Sequence, residues 1–195
     1  MSFHDKDALL FRLKEGLEDT TKSVVFVLGS PAAASYGGVP GVANVGEIVE
    51  LIRARYAKRG NQLAALDQRL GSSDNRYQTA FEFVAGREGQ DAANLIVKRA
   101  VAQALTNPPN GSWADRIGGL SPEELDTLDH DWNVWNIPPA IDAIGALIAR
   151  YPARFGKLVI TSNFDPLIEV SVKKNGGNAW RTDLATDGSL SQSKA

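Results

Sequence analysis

A continuous run of β-branched and aromatic residues near the start of the chain, VVFVL at 24–28, constrains the fold most strongly. The run does not alternate between apolar and polar positions, and it ends at Gly29. Such short continuous runs are typical of strands buried on both faces, as in a parallel sheet covered by helices. We therefore predict a buried strand at 24–28 and a loop directly after it.

A second unit of the same kind lies in the last third of the chain. The apolar triplet at 158–160 predicts another short buried strand, and the segment TSNFD at 161–165 follows it. A helix is predicted next, with Asp165 as its N-cap, Pro166 at its first position and Gly176 just beyond its end. Strand, loop and helix in this order predict the α/β class with a parallel sheet.

Helical periodicity accounts for most of the remaining chain. Apolar spacing predicts an amphipathic helix at 7–18, and Asn44 with Glu47 resembles a capping box at the start of another helix. The stretch 61–128 predicts several helices in succession, and Pro138 with Pro139 opens a further one. The 195 residues fit one domain.

The composition excludes several classes of function. The net charge of −2 gives no reason to expect a nucleic-acid partner or an anionic membrane surface. The sequence has no apolar run long enough to span a membrane and no recognisable signal peptide, so we expect a cytoplasmic protein. Because cysteine is absent, a thiolate zinc site is excluded, and we expect no metal.

The two strand-end loops are the strongest candidates for a ligand site, because ligands of parallel sheets bind beyond the carboxyl ends of the strands. The first loop, 29–43, is rich in small residues that let a phosphate approach the backbone. It lacks GxGxxG, so a flexible crossover loop remains the alternative. In the second loop, Asn163 has an amide that could orient water or hold a ribose hydroxyl. Asp165 either accepts from a ligand or only caps the helix.

An acidic cluster and two tryptophans complete the candidates. We interpret the cluster as a solvated turn, because it lacks the spacing of metal ligands. Trp132 and Trp135 lie at helical spacing and are predicted to pack in the core. The cluster comprises Asp126, Asp129, His130 and Asp131.

Taken together, the two loops resemble the sirtuin-like family. Members show Gly-Ala-Gly-x-Ser and then Gly-Ile-Pro after the first strand, and here GSP at 29–31 is followed by GVP at 38–40. The family's second motif, Thr-Gln-Asn-x-Asp, resembles TSNFD at 161–165. The helix and strand before it look most like the bacterial branch that degrades NAD during antiviral defence.

The resemblance implies a Rossmann-like parallel sheet flanked by helices, with a helical insertion at about 61–128. It implies that NAD is the substrate and is cleaved to nicotinamide and ADP-ribose. Asn163 would position the water or the ribose, and Asp165 would hold the cofactor. The residues implied to line the NAD pocket are Gly29, Ser30, Gly38, Pro40, Thr161, Asn163 and Asp165. Protein deacylation is a weaker implication, because deacylating sirtuins hold zinc on two Cys-x-x-Cys pairs.

One departure from the family concerns the general base, a histidine that follows the second motif. No histidine follows Asp165 in this sequence. We therefore expect either the N-terminal portion of a longer sirtuin-like enzyme, inactive by itself, or a non-catalytic nucleotide-binding or assembly module. A strand candidate at 179–184, followed by a polar ending, favours the first alternative. The expected partners are NAD and further domains or a partner protein of a defence system, and a homo-oligomer is left open.

Overall fold

Helices make up most of the computed structural model, which describes residues 5–107 and 111–182. Three short 3-10 turns lie at Ser30–Ala32, Ile117–Gly119 and Trp132–Val134. In chain order, the elements are α1 (Lys6–Glu18), β1 (Phe26–Leu28), α2 (Val45–Tyr56), α3 (Gly60–Gly71), α4 (Arg76–Glu88), α5 (Gln90–Ala102), α6 (Trp113–Arg116), α7 (Pro122–His130), α8 (Pro139–Arg150), α9 (Pro152–Phe155), β2 (Val159–Thr161) and α10 (Leu167–Lys174).

The sheet consists of β1 and β2, which pair in parallel with Leu28 opposite Thr161. The parallel pairing and the helix-rich α/β character are confirmed, but a larger Rossmann-like sheet is not formed within the described residues. Strand β1 is shorter than the predicted 24–28, because the Val24 amide bonds to the carbonyl of Arg154 in α9 instead of the sheet ladder. At 179–182 the chain forms no strand, and 183–184 lie outside the described residues.

The prediction that both strands are buried on both faces is wrong. Phe26 and Leu28 are half-buried, and the Phe26 ring stacks on Phe155 with 6.2 Å between centroids. Between them, Val27 is 76% exposed, and Ile160 on the paired strand is 50% exposed. One face of the sheet therefore packs on helices, while no described residue covers the other.

Helix α1 forms where periodicity predicts it, with the Asp5 carboxylate accepting from the amides of Asp7 and Ala8. The helix buries none of its residues. Its C-terminal end is held by the guanidinium of Arg154, which donates to the carbonyls of Leu17 and Asp19. The apolar residues that it leaves exposed are Leu9, Leu10, Phe11 and Leu13.

Helices α2 to α5 enclose the first of two apolar cores. Helix α2 begins with the predicted capping box, in which Asn44 and Glu47 bond to each other's backbone amides. At the centre of this core the rings of Tyr56 and Phe83 meet edge to face at 5.3 Å. Other large side chains buried there include Ile52, Leu66, Val84 and Ile96.

A second core joins the end of α5 to the elements that carry the strand-end loops. It contains Ala33, Ala102, Leu105, Ile117, Trp135, Ile141, Leu167 and Val170. Helices α8 and α10 approach closely at Gly145, where an added Cβ would lie 2.0 Å from the Ser171 hydroxyl oxygen. That hydroxyl donates to the carbonyl of Ile141 at 3.2 Å. This contact holds the middle of α10 against α8.

Candidate functional site

The two strand-end loops begin side by side. Leu28 and Thr161 are partners in the parallel register, and the Ser162 amide donates to the Leu28 carbonyl at 3.3 Å. The geometric prediction that Gly29 and Asn163 lie at the same edge of the sheet is therefore confirmed. Parallel pairing causes this arrangement, because the carboxyl ends of both strands point the same way.

The first loop starts with a tight turn at Gly29 and Ser30. The Gly29 carbonyl accepts from the Ala32 amide at 3.0 Å, which forms the 3-10 turn at Ser30–Ala32. Ser30 is exposed at the sheet edge, whereas Ala33 is 1% exposed and packs in the second core. Of the predicted pocket residues in this loop, Gly29 and Ser30 thus adjoin the second loop.

Gly37 and Gly38 form the tip of a hairpin. Tyr36 and Val39 exchange backbone hydrogen bonds of 3.1 and 3.0 Å across them. Both glycines have positive φ, 59° at Gly37 and 82° at Gly38, as a type I′ turn requires. Gly38 and the nearby Pro40 are exposed. Turn geometry alone therefore explains the glycine pair.

The glycine of this loop that permits a close backbone approach is Gly41. A Cβ at Gly41 would lie 2.3 Å from the carbonyl oxygen of Ala33. The Gly41 amide donates to the Ser35 hydroxyl at 3.0 Å, and the neighbouring Val42 amide donates to Ala33 at 2.8 Å. Sequence reasoning missed Gly41, because no local pattern shows which segments of a loop fold back on each other.

In the second loop, the side-chain oxygen of Asn163 is buried and accepts no hydrogen bond from the described residues. The Asn163 backbone amide is occupied, since it donates to the Thr161 hydroxyl at 3.0 Å. Thr161 itself is exposed at the end of β2. Leaving a buried acceptor unpaired costs about 1–3 kcal/mol, so such groups call for a partner. Asn163 is the predicted site residue with the strongest structural claim to a ligand.

Asp165 follows two residues later and is 8% exposed. Helix α10 begins at Leu167 with Pro166 as its N-cap, so the predicted capping position is wrong by one residue. The Asp165 carboxylate nevertheless accepts from the Leu167 amide at 3.2 Å. Burial raises the pKa of Asp165, and the hydrogen bond from Leu167 opposes that shift. The hydrogen bond from Leu167 therefore offsets part of the cost of burying the ionised carboxylate.

A cavity of about 140 Å³ lies behind this loop, between α5, α7 and residues 164–166. Asp129 forms part of its wall and is half-buried, so the prediction of a solvated turn is wrong for this residue. Burial raises the pKa of Asp129. Helical spacing could have predicted this burial, because it places Asp129 on the same face of α7 as Leu125 and Leu128.

The rest of that cluster is exposed as predicted, but Asp126 and His130 lie on α7 and Asp131 is its C-cap, so the predicted turn is wrong. Asp126, His130 and Asp131 are exposed, and the His130 ring contacts the Asp126 carbonyl at 2.7 Å. Of the two tryptophans, Trp135 is buried as predicted, whereas Trp132 is 41% exposed. Trp132 begins a 3-10 turn, whereas Trp135 follows that turn with an extended backbone, φ −100° and ψ 132°, so the two residues do not lie on one helix as their spacing predicts.

In residues 5–107 and 111–182, no three acidic or histidine side chains are placed to hold a metal ion together. Within the same residues, every helix is too short or too polar to cross a membrane.

Comparison of the chain with protein-family models, with curated proteins and with solved structures finds no match.

Proposed function

We propose that NAD binds where the two strand-end loops meet and that its nicotinamide–ribose bond is hydrolysed there. The observation that carries the proposal is the buried, unpaired side-chain oxygen of Asn163 at the end of β2. The sirtuin-like pattern of the two loops supplies the identity of the ligand and suggests an NAD-depleting role in bacterial antiviral defence.

The Asn163 oxygen would accept a hydrogen bond from the attacking water or from a ribose hydroxyl. In the reaction, the carbon–nitrogen bond breaks with its electron pair leaving on nicotinamide, and water attacks the ribose carbon. An oriented water contributes by positioning, since correct alignment lowers the barrier by several kcal/mol. The proton of that water needs a base. We assign the base to none of the described residues, because His130 is exposed at the end of α7.

The remaining residues would bind the nucleotide. Gly29 and Ser30 lie beside the second loop, and with Thr161 they would contact NAD at the sheet edge. Asp165, buried just below, would accept from a ribose hydroxyl in addition to its bond with Leu167. Gly38 lies on the hairpin tip with Pro40 close by, and both would reach NAD from the outer side of the loop.

Calorimetric titration of NAD into residues 1–195, alongside a nicotinamide-release assay, tests the proposal. We expect saturable binding that Asn163→Ala weakens by about tenfold, since hydrogen bonds to buried polar groups are worth about 1 kcal/mol or more. Asn61→Ala, at an exposed position of α3, is the matched control and should leave the affinity unchanged. We expect no nicotinamide release by residues 1–195, because no described residue is assigned as the base. Absence of NAD binding by the unmodified chain would contradict the proposal.

A non-catalytic assembly module is the second candidate, and the exposed apolar surface favours it. Val27 and Ile160 on the sheet, with Leu9 and Phe11 on α1, are each at least half exposed. Larger exposed apolar patches commonly mark interaction surfaces. Sedimentation velocity decides between the candidates: concentration-dependent oligomers without NAD binding would support assembly, and a monomer that binds NAD would support the enzyme.

A further inference from the structure

The cavity behind the second loop has the size and lining of a small-molecule site. Its volume of about 140 Å³ is close to the ~150 Å³ of engineered apolar cavities that take up benzene, but this cavity opens to solvent where it is lined by Lys98 and by Phe164, which is 73% exposed. The Trp135 ring in its wall is fixed, because the indole nitrogen donates to the Leu128 carbonyl at 2.8 Å. The other apolar side chains of the wall include Val97, Val101, Leu105, Ile117 and Leu125.

Asp129 supplies the cavity with a carboxylate that is short of donors. Among the described residues, no hydrogen-bond donor reaches this carboxylate, and burial is the main influence on its pKa. Arg181 acts on it through space but is itself paired with Glu169 at 2.6 Å. Lys98 also lines the cavity but is exposed, so water stabilises its charge. Asp126 and His130 add opposite charges beside Asp129, and His130 carries its charge only when protonated.

We propose that this cavity binds a small primary ammonium attached to a ring or a branched hydrocarbon. The apolar body would fill the space between α5 and α7, and the ammonium would donate to Asp129. A carboxylate at an apolar wall favours a cation, because each N–H donor replaces water that burial has removed. An anion would be repelled by the Asp129 carboxylate and would find no buried hydrogen-bond donor among the described residues of the cavity wall to compensate. Binding of an ammonium in this cavity does not depend on binding of NAD at the strand-end loops, so either proposal can fail while the other stands.

Benzylammonium and benzyl alcohol, which have the same ring and nearly the same size, provide a direct test on residues 1–195. Titration followed by calorimetry or NMR should show saturable 1:1 binding of benzylammonium, about tenfold or more tighter than benzyl alcohol. Asp129→Asn should abolish that preference. Asp126→Asn, on an exposed position of the same helix, should retain it.

Three results would overturn the proposal: no saturable benzylammonium binding, equal affinity for the two compounds, or an unchanged preference in Asp129→Asn. Thermal melting checks that each variant folds. Val101→Phe, which places a ring in the cavity, should abolish binding of both compounds. If Asp129→Asn and Val101→Phe both fail to fold, the relative affinities of the unmodified chain for benzylammonium and benzyl alcohol still test the proposal.

Discussion

The two loops at the sheet edge differ in how completely contacts within the protein explain their glycines and pair their polar atoms. In the first loop, Gly37 and Gly38 form a hairpin turn and Gly41 packs on the backbone of Ala33, so every special position has an internal explanation. In the second loop, Asn163 keeps a buried oxygen without a donor among the described residues, and burial raises the pKa of Asp165. The first loop, 29–43, has the small residues expected of a phosphate-binding loop, but contacts within the protein account for its glycines. The second loop, 161–165, keeps one buried oxygen that could accept a hydrogen bond from a ligand.

Substituting Gly41 should give the largest effect, because the first loop depends on its close approach. Gly41→Ala would place a Cβ 2.3 Å from the Ala33 carbonyl oxygen, and we expect a loss of about 3 kcal/mol in the free energy of unfolding. Urea denaturation measures the loss. Gly29→Ala is the matched control, since its Cβ would meet nothing closer than the Pro31 ring at 3.7 Å. Equal stability of the two variants would contradict this explanation of the loop.

Gly38→Ala should give the next largest effect. The φ of 82° is unfavourable for a residue with a Cβ, and we expect a loss of about 1 kcal/mol, again by urea denaturation. No neighbour lies within 4 Å of the added methyl group, so strain in the turn is the sole cause. A much larger loss of NAD affinity than of stability would show that Gly38 also contacts the ligand.

Asp165 should make stability depend on pH in the acid range. Burial raises its pKa in the folded state above 3.8, so the ionised carboxylate disfavours folding, and this penalty disappears as pH falls through the folded pKa and then the unfolded value. Asp165→Asn can still accept from Leu167 and lacks that penalty. We expect it to melt above the unmodified protein at pH 7, with the difference shrinking towards pH 4. A difference that grows on acidification would contradict the assigned direction.

The smallest effect on stability is expected for Asn163. Asn163→Ala removes no hydrogen bond from the described residues to the side-chain oxygen and relieves an unpaired buried acceptor, so it should not lower the free energy of unfolding by more than about 0.5 kcal/mol. The measurement is thermal unfolding without ligand, with Asn61→Ala as the control. A loss above about 1 kcal/mol would show that the amide supports the fold and would weaken its assignment to a ligand.

Several signals confined to neighbouring residues predicted the structure correctly. Asn44 and Glu47 form the predicted capping box, because both partners lie within one helical turn. Gly176 ends α10 as predicted: its φ is 81°, and the Gly177 amide reaches back to the Val172 carbonyl at 2.9 Å. The parallel pairing of the strand ends also followed from the order of strand, loop and helix.

Local signals in the sequence predicted the bounds of α1, the starts of α2 and α8 and the end of α10, because capping and periodicity involve neighbouring residues. The order of strand, loop and helix predicted which two loops meet. The tertiary structure alone decided what covers each element. It left Val27 exposed, placed Asp129 in a cavity wall and pressed Gly41 against Ala33. These outcomes depend on contacts between segments distant in sequence, and burial is a property of the packed chain that no short stretch of residues encodes.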